Sequence, residues 1–139
     1  MILIIDGDLD ELNLITRACR RASPDLEIQW AVDGQQALDI LSDPRIWARL
    51  KLVFVNLQLS RRPGLEVLEM LRASEDAWMV PVVMVGGPVT RTDMTRIFEA
   101  GANTCLPRSH PDEYEKTIHT EAAFWVGLDR DRWAHPASA

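Results

Sequence analysis

Short apolar runs that alternate with segments of helical periodicity constrain the fold of this chain more than any other feature. The first run has no polar alternation, as expected of a strand that is buried on both faces. The five predicted strands are Met1–Ile5, Leu26–Val32, Leu52–Val55, Val80–Val85 and Thr104–Leu106. Because right-handed crossovers place helices on both faces of such a sheet, the repeat predicts a doubly wound α/β fold with parallel strands.

The segments between the runs carry apolar residues at three- and four-residue spacing, which predicts helices. The first helix has Asp8 as a candidate N-cap, with Glu11 at the spacing of a capping box. Its predicted inner face consists of Leu9, Leu12, Ile15 and Cys19. Four more helices are predicted after the other strands: one that follows Asp33-Gly34 and ends at Ser42-Asp43-Pro44, then Leu65–Leu71, Met94–Ala100, which Gly101 ends, and Asp112–Val126. We expect one domain over residues 1–126 and a C-terminal tail over 127–139.

Composition excludes several classes of protein. The 139 residues are 47% hydrophobic, which indicates a folded domain rather than a disordered chain. Fifteen basic and 21 acidic residues give a formal charge of −6 without a basic stripe, so binding to nucleic acid is disfavoured. No run approaches the roughly 18 apolar residues of a membrane span, and no signal peptide is seen. We expect a cytoplasmic protein without a disulfide framework, because it has only Cys19 and Cys105.

Functional groups of a doubly wound sheet gather beyond the carboxyl ends of its strands. That rule selects the loops at Asp6–Asp8, Asn56–Pro63, Gly86–Pro88 and Pro107–His110. The three histidines, His110, His119 and His135, have no metal-ligand spacing, so no metal site is predicted from them. Gly86-Gly87-Pro88 lacks the spacing of a phosphate-binding loop and is interpreted as a plain loop.

Four motifs together resemble the response-regulator receiver domain of two-component signalling. They are Asp6-Gly7-Asp8, Leu65-Glu66-Val67-Leu68, Pro81–Val85 and Glu99-Ala100-Gly101-Ala102-Asn103. The resemblance runs from about Ile2 to Trp125. It implies a five-stranded sheet with strand order 2-1-3-4-5 and a signalling module that is not an enzyme. It also implies that a histidine kinase would transfer a phosphoryl group to an aspartate at the end of the third strand.

The position that matches this aspartate is Asn56. Attack on phosphorus requires an anionic oxygen, which a neutral carboxamide does not offer, so we expect Asn56 not to be phosphorylated. The magnesium site implied by the resemblance keeps its first acid, Asp6, but has Gly7 at the second, with the carbonyl of Gln58 as a further ligand. Asp8 could partly compensate, although capping the first helix is its favoured role. We therefore expect weak magnesium binding and no cofactor.

Four further positions depart from the family pattern. Gly86 stands where a Ser or Thr would bind phosphoryl oxygens, Arg108 replaces a lysine, and Cys105 replaces an aromatic residue of the fifth strand. Ser109 replaces a proline that often follows the lysine with a cis bond, so we expect a trans Arg108–Ser109 bond. The combined losses predict a pseudo-receiver whose phosphorylation switch is absent.

Each of these residues also has a purely structural interpretation. Asn56 would satisfy loop backbone groups, and Asp6 and Arg108 would form an ion pair. Arg61-Arg62 would be a solvated charge pair rather than a site for an acidic partner. Trp30 and Trp125 are expected in the core. Trp47, Trp78 and Trp133 fall near loops or the tail, where one could anchor a partner.

The predicted function is that of a stand-alone pseudo-receiver that acts by phosphorylation-independent interaction with a protein. The partner would be a kinase, a regulator or a second copy of the chain. The resemblance implies a contact face on the fourth helix, fifth strand and fifth helix, which here would include Arg91, Met94, Ile97, Thr104, Leu106, Tyr114 and Lys116. One alternative is sensing of a small anion or nucleotide beside Arg108, in a crevice widened by Gly7 and Gly86. The other is a receiver that uses Asp6 or Asp8 as acceptor.

Overall fold

The computed structural model describes residues 1–59, 62–75, 77–108 and 110–128, and a five-stranded parallel sheet forms its centre. The strands are β1 (Ile2–Ile5), β2 (Ile28–Ala31), β3 (Leu52–Asn56), β4 (Val82–Val85) and β5 (Thr104–Leu106). Their order is β2-β1-β3-β4-β5, which confirms the predicted fold class and topology. Ile5 pairs with Ala31 and Val55, and Asn56 pairs with Val85, so the carboxyl ends of the central strands lie level with one another.

The described residues form six helices, of which five lie in the connections between strands and the sixth follows β5. They are α1 (Leu9–Ala22), α2 (Gly34–Leu41), α3 (Pro44–Arg49), α4 (Gly64–Ala73), α5 (Arg91–Glu99) and α6 (Pro111–Gly127). The sequence predicted five, because Ser42-Asp43-Pro44 was interpreted only as the end of α2. The Asp43 carboxylate accepts the Arg45 N–H and Pro44 occupies the first turn, so the same residues also begin α3.

The end of α6 falls one residue later than predicted, because Gly127 is still helical. The predicted tail therefore begins within this helix, and its residues 129–139, with Trp133 and His135, lie outside the described residues. Gly101 follows α5 at φ +105°, as expected of a glycine that ends a helix. No helix in the described part of the chain is both long and apolar enough to cross a membrane.

Two apolar clusters cover the two faces of the sheet, because successive strand residues point in opposite directions. One cluster packs Leu3, Ile5, Val53 and Val55 against α2, α3, α4 and α5. The other packs Ile2, Ile4 and Phe54 against α1 and α6, which also contact each other. The site described below lies where these two layers meet the carboxyl edge of the sheet.

Several apolar residues lie elsewhere than predicted. Trp30 is 44% exposed, because β2 is an edge strand, and its Nε1–H donates to Thr16 Oγ1 at 3.0 Å. Leu9, which was expected on the inner face of α1, is 63% exposed in the first turn of that helix. Trp125 is partly buried against the α1 and α6 side of the core, in the region predicted. Trp47 is partly buried and Trp78 is exposed.

Candidate functional site

A cleft of about 680 Å³ opens at the carboxyl ends of β1, β3 and β4. The predicted pocket residues Asp6, Gly7, Asp8, Asn56, Gly86 and Arg108 all line it, so the topology brings together loops that are distant in sequence. Its remaining lining consists of Leu9, Glu11, Gln58, Leu59 and Gly87. Of these, Leu9 and Glu11 lie outside the loops that the sequence selected.

Asn56, the last residue of β3, bridges two loops with its carboxamide. Its Nδ2 donates to Asp6 Oδ2 at 2.8 Å, and its Oδ1 accepts the backbone N–H of Gln58, also at 2.8 Å. Only this orientation of the amide satisfies a carboxylate on one side and an N–H on the other. Asn56 thus bonds a backbone group of its own loop, as expected. Its second bond, to the Asp6 carboxylate, was not predicted.

Asp6 directly follows β1 and is 1% exposed. Its Oδ1 accepts the Asp8 N–H at 2.9 Å, while Oδ2 receives the Asn56 amide. Burial raises the pKa of the Asp6 carboxyl, and the hydrogen bonds from Asp8 and Asn56 oppose that rise. Asp6 is thus held by two N–H donors rather than by a cationic side chain.

The predicted ion pair between Asp6 and Arg108 is wrong. Arg108 Nη2 lies 2.7 Å from Glu11 Oε2 instead. Glu11 was expected to reach back to the N-cap of α1, but its carboxylate turns inward and is 2% exposed, while Asp6 takes the Asp8 N–H. The cap itself is as predicted, because Asp8 Oδ1 accepts the N–H groups of Asp10 and Glu11.

Tyr114 of α6 completes the contacts of Glu11. Its hydroxyl donates to Glu11 Oε1 at 2.5 Å and accepts the Gly86 N–H at 3.1 Å. Burial, together with the neighbouring Glu11 carboxylate, raises the pKa of the Tyr114 phenol well above its usual range. A chain of contacts therefore runs from Arg108 through Glu11 and Tyr114 to the backbone after β4.

Glycine is required at Gly86 for two reasons. Its φ is +95°, and a Cβ there would lie 2.8 Å from Asn56 Oδ1. A Ser or Thr of the kind that the family resemblance implies therefore does not fit this backbone. At Gly7 a Cβ would lie 3.1 Å from the Val32 carbonyl oxygen, a tight contact. Ser109, and with it the predicted trans bond, lies outside the described residues.

The residues of this cleft do not fit the magnesium site that the resemblance implies. Magnesium takes oxygen ligands with free lone pairs, but the Asn56 amino group points at Asp6 and supplies hydrogens instead. Across the described ranges, no group of three or more His, Cys, Asp or Glu side chains is arranged to hold a metal.

Of the predicted charge pair Arg61-Arg62, Arg61 lies outside the described residues. Arg62 forms a surface ion pair with Glu66, with 3.1 Å between Nη1 and Oε1.

The predicted contact face between α5, β5 and α6 is only partly on the surface. Arg91 and Lys116 are exposed, while Met94 and Thr104 are partly buried. Three predicted members are buried and cannot contact a partner, because their side chains point into the core: Ile97, Leu106 and Tyr114. Phe98 and Phe124 were missed, at 47% and 56% exposed. For Phe98 the sequence did contain a signal, because its four-residue spacing from Met94 places the two residues on the same side of the helix.

Comparisons with known proteins agree with this architecture. The profile of the response regulator receiver domain family matches residues 2–119. The probable methanogenesis regulatory protein FilR2 of Methanothrix harundinacea is 29% identical over 134 residues, covering 94% of this chain and 86% of that protein.

Two solved structures show the same fold. A response regulator receiver domain from Rhodospirillum rubrum superposes with a TM-score of 0.80 at 24% identity, covering 92% of this chain and 94% of that one. The phosphorylated cyanobacterial phytochrome response regulator RcpA has a TM-score of 0.81 at 19% identity, with 91% and 93% covered.

Proposed function

The chain belongs to the response regulator receiver domain family. We propose that, within this family, it is a pseudo-receiver. It acts in signalling by binding another protein, and its binding does not depend on phosphorylation. The partner is a kinase, a regulator or a second copy of the chain.

One observation carries the proposal: the Asn56 amide, at the position that the resemblance matches to the acceptor, is hydrogen-bonded on both sides. A nucleophile must present a lone pair to phosphorus, but the Oδ1 of Asn56 accepts the Gln58 N–H and its nitrogen is turned to Asp6. An uncharged amide in this setting is a poor nucleophile. The glycine at Gly86 adds to this, because it offers no hydroxyl to a phosphoryl group.

The structure gives little support to the alternative acceptors Asp6 and Asp8. Asp6 is 1% exposed and both of its oxygens accept hydrogen bonds. Asp8 is exposed, but one of its oxygens caps α1 through two backbone N–H groups. Phosphorylation at Asp6 would have to break one of these bonds first, and Asp8 has only its second oxygen uncommitted to the cap.

Charge in the cleft disfavours the anion or nucleotide alternative. Among the described lining residues, the carboxylates of Asp6, Asp8 and Glu11 face a single cation, Arg108. That guanidinium is already neutralised by Glu11 at 2.7 Å. An incoming anion would meet net negative charge and would have to displace an internal partner.

The surface that we propose for the partner lies on the exposed sides of α5 and α6. It combines two aromatic rings with two cations: Phe98, Phe124, Arg91 and Lys116. Aromatic residues and arginines contribute much of the binding energy at protein interfaces. This composition suits a partner with an apolar patch and acidic residues around it.

The direct test is incubation with an acyl-phosphate donor and magnesium, followed by intact mass measurement. We expect no mass change, whereas an ordinary receiver treated in parallel gains one phosphoryl group. A stoichiometric phosphoryl adduct on this chain would overturn the proposal. A thermal-shift screen with nucleotides and phosphorylated metabolites tests the alternative function of ligand sensing. A ligand that binds only the folded state would raise the midpoint of thermal unfolding, and the proposed function predicts no such rise.

A further inference from the structure

The Glu11 carboxylate is a buried anion that is held by groups from two other parts of the chain. It projects from the first turn of α1 and is 2% exposed. Arg108, which follows β5, neutralises it at 2.7 Å, and Tyr114 of α6 donates to it at 2.5 Å. A buried carboxylate persists when it is paired with a cation and receives hydrogen bonds, and both conditions are met here.

Both backbone polar groups of Gly86 are bound by residues of this cluster. Its N–H donates to the Tyr114 hydroxyl at 3.1 Å, and its carbonyl accepts the Arg108 backbone N–H at 3.3 Å. Gly86 begins the loop 86–90, whose last residue, Thr90, is the N-cap of α5. The position of the loop that leads into α5 is therefore set by Tyr114 and Arg108.

This loop leads along the chain into one half of the contact face that we propose for the partner, and a hydrogen bond ties it to the helix that carries the other half. The α5 half follows directly from Thr90, and the α6 half is on the helix that carries Tyr114. We propose that Glu11, Tyr114 and Arg108 form an internal latch that holds this face in one conformation. This inference rests on the proposed function, because the face that the latch holds is the one proposed there for the partner.

The hydroxyl of Tyr114 is the atom that distinguishes a latch from ordinary core packing. The ring lies in the apolar cluster between the sheet, α1 and α6, where phenylalanine would pack equally well. The oxygen alone reaches Glu11 and Gly86. Tyr114 is thus a positioning residue for the loop 86–90, and Tyr114→Phe removes this function while keeping the ring.

Amide hydrogen exchange on the full chain, read by mass spectrometry, tests the latch. In Tyr114→Phe we expect peptides covering 86–90 and the first turn of α5 to exchange roughly three- to tenfold faster, the factor that one net hydrogen bond provides. Peptides from β1 and β3 keep their wild-type rates. The control is Thr117→Val, which removes a hydroxyl that bonds only the Glu113 carbonyl on the exposed side of α6.

Glu11→Gln keeps the shape of the side chain but removes its charge, and it serves as a second variant with the same expected pattern. It carries the test if Tyr114→Phe does not fold. Unchanged exchange at 86–90, or an equal rise in every strand, would overturn the latch. The result is independent of the phosphorylation assay: a phosphoryl adduct would remove the proposed function, whereas unchanged exchange would remove only the latch.

Discussion

At the residue scale, Asn56 and Gly86 are matched in shape. A Cβ at Gly86 would lie 2.8 Å from the Asn56 oxygen, a distance at which one group must move. That oxygen is held in place by the Gln58 N–H. Replacing either residue alone therefore disturbs the other.

Gly86→Ala is expected to lower the free energy of unfolding by about 1–3 kcal/mol, because a non-glycine residue at φ +95° is strained and its Cβ clashes. Urea unfolding followed by circular dichroism measures this loss. Gly127→Ala is the matched control, since a Cβ there has nothing within 4 Å. A Gly86→Ala protein as stable as the control would show that the loop relaxes freely.

Residues differ in how far their roles could be predicted from the sequence. Asn56 and Gly86 were identified because their positions at strand ends are fixed by the chain order. Glu11 was misassigned, because the spacing of a capping box describes a local partner, whereas its actual partners are 97 and 103 positions away. Such contacts depend on tertiary packing, which spacing along one helix does not report.

At the scale of elements, Arg72 of α4 joins two connections at the opposite edge of the sheet from the cleft. Its guanidinium donates to the Val80 carbonyl at 2.7 Å before β4, and to the Gly101 carbonyl and Asn103 Oδ1, both at 2.8 Å, before β5. Burial lowers the pKa of Arg72. These carbonyls would otherwise lose hydrogen bonds, so the side chain acts as a clamp between α4, β4 and β5.

Arg72→Met should destabilise the protein by roughly 2–4 kcal/mol, because several charge-assisted hydrogen bonds are lost and their acceptors are left partly buried. The midpoint of urea denaturation measures the effect. Arg21→Met, an exposed position at the end of α1, serves as the control and should leave the midpoint nearly unchanged. Equal midpoints for the two variants would contradict the clamp.

Helix boundaries were predicted less well than helix identities. The periodicity of Met94–Ala100 identified α5, but the helix begins at Arg91, because Thr90 and Asp93 form a reciprocal capping box. The short α3 was missed because its six residues are too few for a hydrophobic period to be recognised. In both cases side-chain bonds at the helix start, rather than the apolar pattern, decide the boundary.

At the scale of the whole molecule, the pocket chemistry determines whether magnesium affects the stability of the fold. Asn56→Asp would place a second carboxylate where the amide now donates to buried Asp6 at 2.8 Å. Without metal, the repulsion should raise the pKa of the pair and lower stability at neutral pH by about 2 kcal/mol. Since a raised carboxyl pKa favours the folded protein at low pH, this deficit should shrink as the pH falls toward 4.

Millimolar magnesium is expected to raise the thermal midpoint of Asn56→Asp and to leave that of the wild type unchanged, because the variant regains an anionic oxygen ligand. Thermal unfolding with magnesium or with a chelator measures both. Asn13→Asp, an exposed substitution with the same charge change, controls for non-specific effects. A rise of the wild-type thermal midpoint with magnesium would contradict the conclusion that the residues of the wild-type cleft do not fit this ion.

The whole-molecule architecture was predictable because it depends on repetition. Five buried strands separated by helical segments admit few arrangements, and the family resemblance supplied the strand order. The contact face was predicted less accurately, because Ile97 and Leu106 are on the elements concerned but point inward. Knowing which elements form a face does not determine which of their side chains reach solvent.

Under the proposed function, the two hydrogen bonds of the Asn56 amide have a consequence for how a cell would adjust the output of this protein. A domain whose shape is the same before and after contact with a phosphate donor cannot be turned up or down by its chemical state. Its influence then scales with the number of copies present. Gene expression and protein turnover, rather than kinase and phosphatase activities, would set the strength of its signal.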